Sequence, residues 1–295
     1  MQSPLCVVPS GDGTGEGALW HALHKAVYWV DINRFLIHRF EPETGNVRNW
    51  FFSEPVVTLG LTDRPDTLIV ALGSHVILWQ PANDARADFA NPERGRAGVR
   101  LNDGRPDPAG NFWVGSMPNN VGSDGENLPI ERHDMGALFR VNPDGSCMTQ
   151  KSGVGISNTF CWSPDSTRFY FGDTLANTIS LWDYDLKTGR IANERPFFVD
   201  FERGLPDGSA MDRDGYLWNA RYGGACIVRI APSGEIDRIV EMPVTHVTTC
   251  TFGGPQLKTL FITTARLPDE RLSGGLYALP VDVPGLPENR FRLAA

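Results

Sequence analysis

The sequence predicts an all-β fold, a six-bladed β-propeller, on three observations. One pattern recurs six times along the 295 residues: a strand led by aromatic and β-branched residues, a turn rich in Asp, Pro and Gly, then a second strand. Its lead positions, Trp29, Ile69, Trp113, Tyr170, Trp218 and Phe261, lie 40, 44, 57, 48 and 43 residues apart, the length of a four-stranded blade. No segment of about twelve residues or more carries a convincing 3.6-residue apolar period. A tandem pair of β-sandwiches would also use short strands, but it does not call for the regular spacing.

The copies follow in order. The first is residues 26–47, AVYWVDINRFLIHRFEPETGNV, and the second residues 66–84, DTLIVALGSHVILWQPAND. The third, GNFWVGSMP, is completed by GALFRVNPDGSCM across a polar insertion, residues 119–134, which accounts for the long spacing of 57. That insertion is expected as a loop at one mouth of the channel. The fourth and fifth copies are residues 166–191 and 214–239, and the sixth joins KTLFITTARLPDE to GGLYALPVDVPG. Alternation such as Leu138 to Val141 is the period of two of a half-buried strand, and ProAspGly, GluThrGly and LysThrGly are hairpin turn chemistry. All six copies place residues 1–295 in one propeller domain.

Composition narrows the function. With 27 Lys and Arg against 35 Asp and Glu the net charge is −8 and no basic cluster stands out, which argues against nucleic acid as a partner. No apolar run approaches the ~18 residues of a membrane span, and the start, MQSPLCVVPSGDG, has no basic segment followed by an apolar one. The five cysteines are scattered without a C-x-x-C pair, which fits reduced core thiols in a cytoplasm and not a zinc cage. No obligatory protein partner is evident. The expected partner is a small polar molecule.

A propeller builds its site from polar residues at equivalent positions of several blades. Four segments qualify: GlyGluGly around Glu16, residues 100–108 (RLNDGRPDP), residues 155–165 (GISNTFCWSPD) and residues 204–212 (GLPDGSAMD). Taken singly, each has a plain reading, because AsnAspGly and ProAspGly are ordinary turn formers. Together Glu16, Asn158 and Asp207 offer oxygen donors from three blades, and two carboxylates with an amide suit one divalent cation: Ca²⁺, Mg²⁺ or Mn²⁺, with Fe²⁺ and Zn²⁺ also accepting such ligands. Other chemistries find no support. GDGTGEG is not a dinucleotide fingerprint, DRDG lacks the rest of an EF-hand loop, and neither H-E-x-x-H nor G-x-S-x-G occurs. His21 and His24 are three apart, but on a strand or turn they need not face one ion.

These segments resemble the senescence marker protein/gluconolactonase/luciferin-regenerating enzyme family, which includes regucalcin and bacterial sugar lactonases. The shared stretches are GEG-x-x-W, RLNDG followed by DPAGNFWVGSM, ISNT-x-x-WSPD, LPDGS, D-x-DGYLW and FGGPQLKTLFITTA. They run nearly end to end in order, and the last is closest to bacterial pentonolactonases. The resemblance implies a six-bladed propeller with a metal site in its central channel, hydrolysing a sugar (aldono-) lactone of the pentono- or hexono- kind. It implies metal ligands at Glu16, Asn158 and Asp207, substrate contacts at Arg100 and Asn102, and Asp207 as the carboxylate that accepts a proton from the attacking water. A departure falls at Asn120, in SMPNN, where regucalcin-like members carry a substrate-facing Glu; Glu126, Glu131 and His133 of the insertion could replace it. Regucalcin-like members are also calcium-binding, so a non-catalytic metal- or ligand-binding propeller is the rival reading, with a protein-binding scaffold a third.

Overall fold

The computed structural model describes residues 3–294, and its strands form six antiparallel sheets in sequence order around a channel. Blades 1 to 5 each use four consecutive strands and open with an inner strand beside the channel: Gly15–His21, Val56–Thr62, Val99–Pro106, Ser157–Trp162 and Leu205–Met211. Blade 6 opens with Val247–Gly253. Its outermost strand is Leu5–Val8, from the other end of the chain, paired antiparallel with Leu276–Pro280. The ring is therefore closed by one mixed blade, and the inner strands of blades 6 and 1 lie side by side. That closure excludes the tandem sandwich.

Every lead position of the repeat sits on the second strand of its blade: Trp29 in Ala26–Asp31, Ile69 in Leu68–Leu72, Trp113 in Phe112–Pro118, Tyr170 in Arg168–Asp173, Trp218 in Leu217–Tyr222 and Phe261 in Thr259–Thr264. Second strands are covered on both faces by neighbouring blades, so they are the most apolar part of the repeat. Trp29, Trp113 and Trp218 are wholly buried or nearly so, each contributing on the order of 3 kcal/mol through lost apolar surface. An indole nitrogen buried this way needs an acceptor. Trp113 Nε1 donates to Asp107 at 2.8 Å and Trp218 Nε1 to Asp212 at 2.9 Å, six residues upstream in each case; Trp29 donates to Asp12 at 2.8 Å. The Asp-x-x-Gly-x-x-Trp of DPAGNFW and DRDGYLW is thus a latch between the turn and the second strand, with no calcium loop involved.

The end of the chain crosses the channel at the end where the inner strands finish. Leu286 N donates to Met211 O in blade 5 and Gly285 N to Leu257 O in blade 6, and Arg290–Phe291 pairs in parallel with Leu61 and Thr62 of blade 2. Arg292 N then reaches Gly110 O in blade 3. Glu288 sits within this strap, accepting from Thr251 Oγ1 at 2.9 Å and lying 3.7 Å from Arg105. The insertion at residues 119–134 does form a loop at the opposite mouth, as expected, with a lone bridge between Val121 and Asn127. Among the described residues no helix is long and apolar enough to cross a membrane. The five cysteines are unpaired, and Cys161, Cys226 and Cys250 pack in the interior.

Candidate metal centre and substrate pocket

All six inner strands carry one extra residue against their neighbour, near the mouth of the channel. The pairing slips between Glu16 and Leu19, Val56 and Thr58, Leu101 and Gly104, Asn158 and Phe160, Pro206 and Ser209, and Val247 and Cys250. A bulge of this kind kinks the strand and re-aims a side chain that the regular pleat would send elsewhere. Residues 102–104 (AsnAspGly) and 206–208 (ProAspGly), whose residue types also make turns, are bulges within strands because the inner strands must bend where they converge. The ProAspGly of residues 143–145 closes a hairpin turn, as expected. Gly17 follows Glu16 with φ at 58°, and Thr159 follows Asn158 with φ at 56°. A β-branched residue in the left-handed region is strained by about 1–3 kcal/mol, and such strain persists where the surroundings over-determine it. Here Thr159 Oγ1 donates to Asp207 O and contacts Ser209 Oγ at 2.9 Å, which ties the Asn158 strand to the Asp207 strand.

The inner strands deliver Glu16, Asn158, Asp207, Arg100 and Asn102 to one cavity of about 710 Å³, and the loop of residues 119–134 adds Asn120. Glu16 and Asp207 lie close together at the head of the channel, near enough to act on each other's charge. Burial drives both carboxyls well above their usual range, and Asp103 adds like charge to each. Among the described residues no Lys or Arg forms an ion pair with either; Arg100 acts on them only through space. Asn158 is committed by its amide nitrogen, which donates to Thr174 Oγ1 at 2.8 Å, and Thr174 is in turn anchored on Pro206 O at 2.7 Å. Asn158 Oδ1, which accepts a long hydrogen bond from Asn102 Nδ2 at 3.3 Å, is then its remaining oxygen donor for a cation. Two buried carboxylates pressed together beside a fixed amide oxygen form the donor set a hard divalent cation requires, so the residues fit the expected group.

A second acidic cluster is different in kind. Asp12, Asp31 and His38 bring ligand atoms within 4.8 Å of one another. The guanidinium of Arg34 already bridges both carboxylates, at 2.7 Å to Asp12 Oδ1 and closer to Asp31. Asp31 also accepts from the backbone N–H groups of Gly13, Thr14, Asn33 and Arg34. The cluster is a closed network beside the blade 6–blade 1 seam, with an arginine where a cation would sit. His21 and His24 stack at 3.6 Å on the far side of blade 1, His21 Nδ1 accepting from His24 N and His24 Nδ1 lying 2.8 Å from Tyr28 Oη. Their nitrogens do not converge on one point.

Blade 3 forms one wall of the cavity. Arg100 donates through Nε to Asn120 Oδ1 at 2.9 Å and through one terminal nitrogen to Asn102 Oδ1 at 2.7 Å and Leu101 O at 2.9 Å. Its partners are all neutral, and burial lowers its pKa to about 10. Asn120 thus stands directly on the arginine, whereas Glu131 and His133 lie outside the cavity lining and Glu126 lines it from the loop. The loop is held over the mouth by Asn33 of blade 1, whose amide nitrogen donates to Gly125 O at 2.8 Å and Asn127 Oδ1 at 3.0 Å.

Four participants were missed by sequence reasoning. Asp103 sits inside the Asn-Asp-Gly bulge, its pKa raised to about 6 by burial against the pull of Arg105. Tyr222 and His246 stack at 4.2 Å and line the cavity, as does Arg266. The signal for His246 was positional: it immediately precedes the inner strand of blade 6, at the mouth. A separate apolar cleft of about 620 Å³ between blades 6 and 1 lies at the strap end and holds none of these residues.

Comparisons agree with this architecture. Pentonolactonase XacC of Haloferax volcanii is 34% identical over 297 aligned positions, with 96% of each chain covered. A 6-deoxy-6-sulfogluconolactonase of Pseudomonas putida is 32% identical, with 97% of each covered. The solved structure of a calcium-binding protein, regucalcin, from Agrobacterium tumefaciens superposes with a TM-score of 0.91 at 25% identity, covering 99% of this chain and 98% of that one. Residues 14–266 match the family described as the SMP-30/Gluconolactonase/LRE-like region. With all six inner strands falling whole within that match and the ring fold shared across nearly all of both chains, the protein belongs to the SMP-30/gluconolactonase/LRE-like family.

Proposed function

We propose that the protein hydrolyses a sugar lactone to the aldonic acid, with a divalent cation held by Glu16, Asn158 and Asp207. The observation that carries the reading is the buried carboxylate pair facing a wall of neutral and cationic hydrogen-bonding groups in one cavity. The lactonase names of two relatives that cover 96% and 97% of the chain support it. When bound, the cation supplies Lewis-acid polarisation of a carbonyl oxygen. Asp207 accepts the proton of the attacking water, and its raised proton affinity suits that task. Glu16 and Asn158 act as ligands. Arg100, Asn102 and Asn120 hydrogen-bond the hydroxyls of the sugar ring and hold its carbonyl toward Asp207. Because the wall is polar and buried, a sugar lacking a matched hydroxyl leaves its donors unpaired, which is the strongest form of discrimination available to such a site. The preferred substrate is a pentono- or hexono-lactone, met in the cytoplasm.

The test is lactone hydrolysis followed by pH-stat across a panel of aldonolactones. Metal-stripped protein is compared with protein given Ca²⁺, Mg²⁺, Mn²⁺, Zn²⁺ or anaerobic Fe²⁺. The expected outcome is turnover above the spontaneous rate only with metal restored. No rate above background with any pairing would sink the reading. Cation binding without turnover would favour the rival, a calcium-binding propeller, which the name of the Agrobacterium tumefaciens neighbour keeps in view.

A further inference from the structure

The cavity has a second wall with no role in the reading above. Tyr222 belongs to the second strand of blade 5 and His246 to the approach to blade 6, and their rings stack at 4.2 Å and 15° at the mouth. Both side chains line the cavity. His246 is partly exposed there, and burial keeps its imidazole in the neutral form below the usual histidine range, with Glu270 pulling the other way. The two rings present their polar edges to the same cavity as the carboxylate pair.

The order of the blades places this wall. In a closed ring of six, blade 6 stands opposite blade 3. Glu16 comes from blade 1 and Asp207 from blade 5, the two neighbours of blade 6, so His246 lines the cavity on the side of the ring across from Arg100, Asn102 and Asn120. The chemistry of a lactone has the same two-sided layout. Its carbonyl carbon is flanked by a hydroxyl-bearing carbon on one side and by the ring oxygen on the other. The ring oxygen is bonded to the carbon that carries the exocyclic polyol arm. With the carbonyl at the head of the channel and the ring hydroxyls on blade 3, the ring-oxygen edge and its arm face blade 6.

We infer that His246, held in place by stacking on Tyr222, is the specificity-determining residue for the exocyclic arm, hydrogen-bonding its hydroxyl through a ring nitrogen. The inference rests on the lactonase reading and goes beyond it by naming the group that reads the arm. It requires no proton transfer from His246. A lactone with ring hydroxyls and no arm has nothing to offer this wall, whereas pentono- and hexono-γ-lactones carry arms of one and two carbons.

The experiment measures kcat and KM for erythrono-, pentono- and hexono-γ-lactones in the metal-loaded protein and in His246→Ala, His246→Gln and Tyr222→Leu. The wild type should prefer the armed lactones. His246→Ala should raise KM for them about tenfold, the loss of one hydrogen bond, while leaving kcat and the erythronolactone rate within about twofold. His246→Gln, which keeps a donor and an acceptor, should recover part of the preference, and Tyr222→Leu should lose it. Cation affinity and melting temperature, measured alongside, should be unchanged in the His246 variants. An equal loss on all three lactones would show a structural or general catalytic role and overturn the inference, as would unchanged discrimination in His246→Ala. Wild-type protein that turns over lactones without preferring the arm overturns it alone, whereas wild-type protein inactive on every lactone removes the lactonase reading and this inference together.

Discussion

Asp207 is asked to be both a ligand and the proton acceptor, and its surroundings separate those duties from a structural one. Its backbone carbonyl, not its carboxylate, carries the contact to Thr159 that ties blade 4 to blade 5 and the contact to Asn219 within blade 5. Asp207→Ala should therefore abolish turnover by a factor of about 10²–10⁴ while the thermal transition remains cooperative, a pair of measurements that a purely structural aspartate could not satisfy. Asp103 makes a different prediction. Its folded pKa, about 6, lies above the ordinary value of 3.8, so folding favours its protonated form. That contribution is complete below the unfolded pKa and is lost as pH rises through about 6; Glu16 and Asp207 share the direction. In metal-stripped protein, Asp103→Asn should thus melt higher than wild type at pH 7 and no higher at pH 4. Melting curves with equal gaps at both pH values would show that Asp103 is not burdened by its charge. Added divalent cation should narrow the wild-type deficit at pH 7, since it supplies the opposite charge the three carboxylates lack.

At the scale of elements, the inner strand is where sequence and function meet. One extra residue in each lets six strands converge without clashing, and in blades 1, 4 and 5 the same irregularity aims Glu16, Asn158 and Asp207 at the channel. The second strand, in contrast, is a packing element, and the repeat was visible because of it: aromatic and β-branched residues recur where both faces are covered. The outer strand of blade 6 is the ring's closure. Leu5, Cys6 and Val8 pair with Ala278, Tyr277 and Leu276, and without them Leu276–Pro280 becomes an open edge. A chain beginning at Ser10 should lose several kcal/mol, on the order of 10 °C in melting temperature, and associate through that edge. Light scattering and calorimetry on the truncated protein would check both, and an unchanged transition would mean that blade 6 stands without its fourth strand.

At the scale of the whole molecule, the ring decides which residues meet. Blade 3 and blade 6 are far apart along the chain yet face each other, and the strap formed by residues 284–292 spans blades 5, 6, 2 and 3 at the end away from the mouth. The sequence by itself determined the number of blades, because burying both faces of a strand demands apolar residues at a repeating distance. It also determined the three cation-ligand candidates and the arginine wall, through motifs whose resemblance to a family runs the length of the chain. It left the Asp-Gly pairs at 103–104 and 207–208 open between turn and site, since a bulge and a turn draw on the same residue types and differ only in what lies across from them. It was silent on Tyr222 and His246, which carry no motif, and gave no role to Arg266, which ends the ThrThrAlaArg stretch. Only the closed ring brings them to the cavity, because a propeller site is assembled from residues whose proximity depends on six sheets completing a circle, and no local pattern records where that circle closes.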